Sequence, residues 1–79
     1  MTVRVRYFAI LRDRRGLAEE SVAIESTTAR EFADRLTKTY RFGLPASLVR
    51  VAVNGEFVVD THPLADGDEV VLIPPVAGG

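Results

Sequence analysis

Seventy-nine residues make one domain, near the lower limit at which a chain buries a useful core without disulfides, metal or a partner, and leave no room for a second. A hydrophobic share of 47% against 27% charged excludes a disordered tail. Ten basic and eleven acidic residues, a formal charge of -1, supply no global field to recommend nucleic acid or an anionic membrane, and the lack of cysteine removes disulfides, thiolate metal sites and cysteine nucleophiles together.

The opening "MTVRVRYFAIL" is too short and too evenly interrupted by arginine for a signal peptide or a membrane span, so the expected setting is the cytoplasm. Val3, Val5 and Tyr7 alternate with Thr2, Arg4 and Arg6, the period of a strand with one buried face. After Phe8 the pattern predicts one or two helical turns, with Phe8, Leu11 and Leu17 as an apolar side and Gly16 as the stop. Arg4, Arg6, Arg12, Arg14 and Arg15 crowd this quarter, but Asp13, Glu19 and Glu20 lie among or just after them, and the group reads as a solvated mixed-charge face rather than a phosphate-binding patch. Val22 and Ile24 suggest a second strand folding back on the first.

"TAREFADRLTKTY" predicts the main helix. Thr28 and Glu31 have capping-box spacing, and Ala29, Phe32, Ala33, Leu36 and Tyr40 share a face. Glu31 with Arg35 and Asp34 with Lys38 are i,i+4 pairs in the favourable order, and Gly43 and Pro45 are the expected stop. "LVRVAVNGEFVVD" reads as a strand, an Asn54-Gly55 turn and a short return, since a two-residue type I′ hairpin needs two positive φ angles. Asp66-Gly67 is a second turn, feeding Glu69 to Ile73, whose unbroken apolar run from Val70 predicts an interior strand covered on both faces. Strand, strand, helix, strand, short strand, strand, with one helix over one sheet, is an α+β chain of the ubiquitin-like β-grasp class, its last strand lying beside its first. The expected division is a domain over residues 1–73 and an extended tail over 74–79.

Little conventional catalytic machinery is present. No glycine-rich phosphate loop and no His/Asp/Glu cluster at metal spacing occurs, so no bound cofactor is expected. His62, the one histidine, reads as a loop residue that caps or packs, because no nucleophile pairs with it in sequence. Asp66, Asp68 and Glu69 read as turn and strand-entry residues rather than metal ligands.

The closing "PPVAGG" is the unusual stretch. Adjacent glycines arise by chance at about one position pair in 200, from a usage of ~7%, so their placement carries the weight. Pro74 and Pro75 cannot extend a central ladder and push the chain out of the sheet, from where Pro74 to Gly79 reach roughly 20 Å at ~3.3 Å per residue. Ala77, Gly78 and Gly79 have so little bulk that the main chain could thread a narrow channel and set its terminal carboxylate against a reactive centre in a partner; a frayed end without function is the alternative. That carboxylate, anionic at neutral pH with a pKa of about 3.3–3.7, could attack the α-phosphate of a nucleotide and yield an acyl-adenylate.

"VRYFAILRDRRG", the Asn54-Gly55 hairpin and "HPLADGDEVVLIPPVAGG" resemble the small subunit of molybdopterin synthase, the MoaD-type sulfur carrier of the MoaD/ThiS family, over nearly the full chain. The resemblance implies that Gly79 is adenylated by an E1-like activating enzyme using ATP and converted to a thiocarboxylate. It implies a tail of Pro75, Val76, Ala77 and Gly78 that enters the active site of the large synthase subunit, in a heterotetramer. Sulfur then passes to cyclic pyranopterin monophosphate, so that this chain donates sulfur while the larger subunit supplies most of the catalytic side chains. An apolar contact surface is implied at Phe8, Phe57, Ile73 and Pro74; from the residues alone, Phe8 and Phe57 are equally compatible with core. Ile73 stands where the family often has an aromatic. A ubiquitin-like modifier and a thiamine- or tRNA-directed sulfur carrier are the alternatives.

Overall fold

A computed structural model describes residues 1–75 as one mixed five-stranded sheet with two helices. In chain order these are β1 (Thr2–Tyr7), α1 (Ala9–Arg15), β2 (Glu19–Ala23), α2 (Ala29–Thr39), β3 (Arg50–Val53), β4 (Glu56–Phe57) and β5 (Glu69–Ile73), with a 3-10 turn at Ala46–Leu48. The sheet order is β2-β1-β5-β3-β4; β1 and β5 run parallel and the other neighbours antiparallel. The predicted β-grasp is therefore present, with the last strand in the interior beside the first. Among the described residues no helix is long and apolar enough to cross a membrane.

Strand alternation sorts the side chains. Val3, Val5 and Tyr7 are at most 2% exposed, and the register sets Val5 against Val70 and Tyr7 against Leu72, with Val51 and Val53 on the far side of β5. Helix α2 lays Ala29, Phe32, Ala33 and Leu36 on this inner face. Phe32 is fully buried, and its truncation to alanine would cost about 3–5 kcal/mol. The predicted double cover of β5 holds for Val70, Val71 and Leu72, whereas Ile73 is only half-buried.

The cap and ion pairs of α2 differ from expectation. Thr28 Oγ1 accepts from the Glu31 N–H at 3.3 Å, but the Glu31 carboxylate accepts from Thr27 Oγ1 instead of closing the reciprocal box. The first helical N–H groups are satisfied from a distant loop: Ala29 donates to the His62 carbonyl (2.8 Å) and Arg30 to that of Asp60 (3.1 Å), which gives His62 its capping role through backbone. Neither Glu31–Arg35 nor Asp34–Lys38 occurs among the ion pairs of the described residues. The helix pair is Arg30–Asp34 at 3.3 Å, because Arg30 is anchored by donating to the Val49 carbonyl (2.9 Å), which holds its guanidinium beside Asp34. The helix stops at Thr39, short of Gly43.

Both turn motifs behave as their composition predicts. Asn54 and Gly55 have φ of 52° and 89°, the two positive angles of the hairpin. The acidic group around Asp66 is structural: Thr2 N–H donates to Asp66 Oδ1 (2.7 Å), and Asp68 accepts from Ala65 N–H (2.8 Å) and Asn54 Nδ2 (3.0 Å). Asn54 Oδ1 in turn accepts from Glu69 N–H (3.0 Å). These bonds tie the start of β1, the β3–β4 hairpin and the entry to β5 into one corner.

A polar network locks α1 to the sheet edge. Helix α1 ends where Gly16, with φ 85°, donates its N–H to the Arg12 carbonyl. Arg15 then makes a bidentate pair with Glu20, Nε to Oε2 at 2.7 Å and Nη2 to Oε1 at 2.8 Å, and Tyr7 Oη donates to the same Oε2 at 2.7 Å. The guanidinium also stacks on Tyr40, 4.1 Å from the ring centroid. The Arg15 hydrogen bond, reinforced by that from Tyr7, holds the Glu20 carboxyl below its ordinary 4.5 against an opposing desolvation cost. Burial, with the Glu20 bond second, pushes the Tyr7 phenol up. A depressed carboxyl contributes stability that is complete above its unfolded value and is lost as pH falls through the folded one. Glu20→Gln should therefore lower stability by on the order of 1–2 kcal/mol near neutral pH. Thermal melts across the acid range should show the gap to wild type closing below about pH 4.5; a gap constant down to the acid limit would show that the charge of Glu20 contributes nothing.

Candidate functional site

The alternation that turns valines inward sends the other half of each strand to a face without a helix. One row crosses four strands: Arg6 on β1, Val71 on β5, Ala52 on β3 and Phe57 on β4. The next row pairs Ile73 with Arg50. Ala52 and Val71 are nevertheless buried and form the floor of this face. Arg50 lies 3.9 Å from the Phe57 ring centroid and Arg6 lies 5.6 Å from that of Phe8.

Phe8 and Phe57 are 43% and 56% exposed, which removes both from the core and leaves two phenyl rings at the surface of a small domain. They do not share one pocket. Phe8 joins Ile10, Phe42, Leu44, Ile73 and Pro75 in lining an apolar groove of ≈ 750 Å³, with Arg14 at its wall donating to the Phe42 carbonyl at 3.2 Å. Phe57 stands across the open face, beyond Ala52 and Val71.

Pro74 also lines the groove, so the chain leaves β5 along an apolar wall. Strand pairing stops at Ile73, where two prolines remove the donors that would continue it. Val76, Ala77, Gly78 and Gly79 lie outside the described residues.

Several residues of this surface had no clear signal in the sequence. Phe42 follows the helix in a loop, yet it is fully buried, edge-on to Tyr7 at 5.9 Å between centroids. Ile10 falls on the outer side of α1 and is 42% exposed, a placement legible only as an apolar residue off the predicted helical stripe. The arginine cover of Phe57 depends on cross-strand register, which the sequence pattern alone did not supply, whereas that of Phe8 comes from Arg6 two positions earlier.

Comparison with known proteins extends beyond the fold. The ThiS family profile matches residues 5–79. The molybdopterin synthase sulfur carrier subunit of Escherichia coli K12 is 32% identical over 80 residues, spanning 98% of this chain and 99% of that one. The protein of the same name from Chlamydomonas reinhardtii is 32% identical over 90 residues, covering both chains completely. Among solved structures, small archaeal modifier protein 1 (SAMP1) of Haloferax volcanii superposes with a TM-score of 0.79 at 26% identity, with both chains covered in full. A chain from the complex of subunits 1 and 2 of the Helicobacter pylori molybdopterin-converting factor gives 0.69 at 25% identity, again over 100% of both. A family profile that matches 75 of 79 positions, and about one-third identity maintained end to end, establish that the chain belongs to the ThiS family, as a small subunit of the MoaD/ThiS type.

Proposed function

We propose that this chain is the sulfur-carrier small subunit of a molybdopterin synthase and that it works in the cytoplasm through the carboxyl group of Gly79. The observation that carries this reading is the end-to-end likeness to the E. coli sulfur carrier subunit. The exit of the chain at Ile73 along an apolar groove, under two prolines, supports it by giving the tail a defined starting point.

The chemistry proposed for Gly79 needs no side chain of this protein. Bound by an E1-like activating enzyme, a carboxylate oxygen attacks the α-phosphate of ATP; a C–O–P linkage forms and pyrophosphate leaves with the electron pair of the broken P–O bond. Hydrosulfide-level sulfur from a donor then attacks the acyl carbon; the C–S bond forms, the C–O bond to phosphate breaks with its electron pair leaving on AMP, and loss of the S–H proton leaves a thiocarboxylate. In a heterotetramer with the large synthase subunit, Pro75 to Gly79 thread that subunit's site and the sulfur is delivered to cyclic pyranopterin monophosphate. The likeness to a chain from a two-subunit molybdopterin-converting complex supports a large-subunit partner. Phe8, Phe57, Ile73 and Pro74 are the proposed contact residues, since exposed or half-buried apolar groups on the open face and at the tail root lose unfavourable hydration when a partner covers them.

A second reading, a modifier joined through Gly79 to lysines of other proteins, is favoured by the likeness to the archaeal modifier. The same activated carbonyl serves both. Abundant isopeptide conjugates in cell extracts, without pterin-dependent sulfur transfer, would select the modifier.

Mass spectrometry after incubation with the activating enzyme, ATP and a sulfur donor should show one oxygen of the terminal carboxyl replaced by sulfur; an unchanged mass with demonstrably active partners would overturn the proposal. Deleting Gly79 should abolish sulfur transfer while leaving the thermal melt unchanged, and a truncated chain that still delivers sulfur would remove the terminus from the mechanism.

A further inference from the structure

The arginines of the open sheet face are not equivalent. Arg4 and Arg6 share Glu19, at 3.6 and 3.9 Å, and Arg6 also reaches Glu69 at 3.9 Å, so their charges are answered within the fold. Arg50 is different: among the described residues no ion pair within 4.0 Å includes it. It is exposed, sits over the Phe57 ring with its guanidinium carbon 3.9 Å from the centroid, and pairs in register with Ile73, the last residue before the chain leaves the sheet.

A guanidinium resting on a phenyl face still has its in-plane N–H donors directed outward, a fork suited to a carboxylate. Beside it lies the apolar floor of Ala52 and Val71. Glu19 and Glu69 on the same face oppose any polyanion, whereas one acidic group set against Arg50 and kept clear of them meets only attraction. We propose that Arg50 selects the docking partner, a protein surface presenting a carboxylate to this guanidinium next to an apolar side chain seated on the exposed ring of Phe57. The inference rests on the open face being the docking face of the proposed small subunit and adds the chemistry of what covers it.

A cover for Phe57 alone would be served by stacking, without any need for the charge to be left unpaired. The two roles separate in association kinetics. The full-length chain and its cognate large synthase subunit are mixed at low and high salt, using wild type, Arg50→Glu, Arg50→Gln, Arg50→Lys and Phe57→Ala, each first checked by thermal melt. Arg50→Glu should slow association by about tenfold or more, Arg50→Gln should remove much of the salt dependence, and Arg50→Lys should keep the wild-type association rate because the charge remains. Phe57→Ala should mainly speed dissociation. Wild-type binding by Arg50→Glu, with Phe57→Ala weakened, would overturn the role of Arg50 while preserving the docking face. Wild-type binding by all four variants would overturn the docking face as well, and tighter binding by Arg50→Glu would show that the opposing surface is basic.

Discussion

The parallel pairing of β1 with β5 is the constraint on which the molecule depends. Val5 against Val70 and Tyr7 against Leu72 join segments from the two ends of the chain, so the core cannot close until its last strand arrives. Such long-range pairing is entropically costly, and the inner-face valines with Phe32 offset it. The corner built from Asp66, Asp68, Asn54 and Thr2 holds this pairing in register with hydrogen bonds from backbone and amide donors. With β5 enclosed on both sides, the chain beyond Ile73 has no ladder to join, and Pro74 and Pro75 enforce that exit.

Much of this was readable from residues whose role is local. The alternation of Val3, Val5 and Tyr7, the Asn54-Gly55 pair and the Thr28 cap each act through backbone geometry within a few positions, and each appears where expected. Arg30–Asp34 replaces the anticipated helix pairs because Arg30 is held by a carbonyl nineteen residues away, a partner that helical spacing cannot reveal. The Tyr7–Glu20–Arg15 network required the register of β2 on β1, which sets Glu20 opposite Val5, and the placement of Arg15 at the end of α1 beside it. Position in sequence also left Phe8 and Phe57 undecided between core and surface, since a phenylalanine at the end of a strand suits either. Their exposure, with Arg6 over Phe8 and Arg50 over Phe57, places both outside.

The open face and the tail root follow different physical rules. The groove of Phe8, Phe42 and Leu44 is apolar and gives little orientation to whatever meets it. The face of Arg50 and Phe57 carries direction, because a planar donor fork is selective in angle as well as charge. A small domain can thus combine non-specific apolar contact near its exit with orientation set one strand away.

Because β1 and β5 point the same way, the residue that opens the domain and the residue that releases the tail stand at opposite ends of the sheet. Met1 is held there by donating its amino group to the Ile24 carbonyl at 3.0 Å. An affinity handle or fluorophore attached at the amino end would sit roughly 23 Å along the strands from the tail root, about seven residue steps at ~3.3 Å each, and the Met1 amide N–H could still donate to the Ile24 carbonyl. The geometry thus leaves that end open to engineering, with the full length of the sheet between a label and the groove at Pro74.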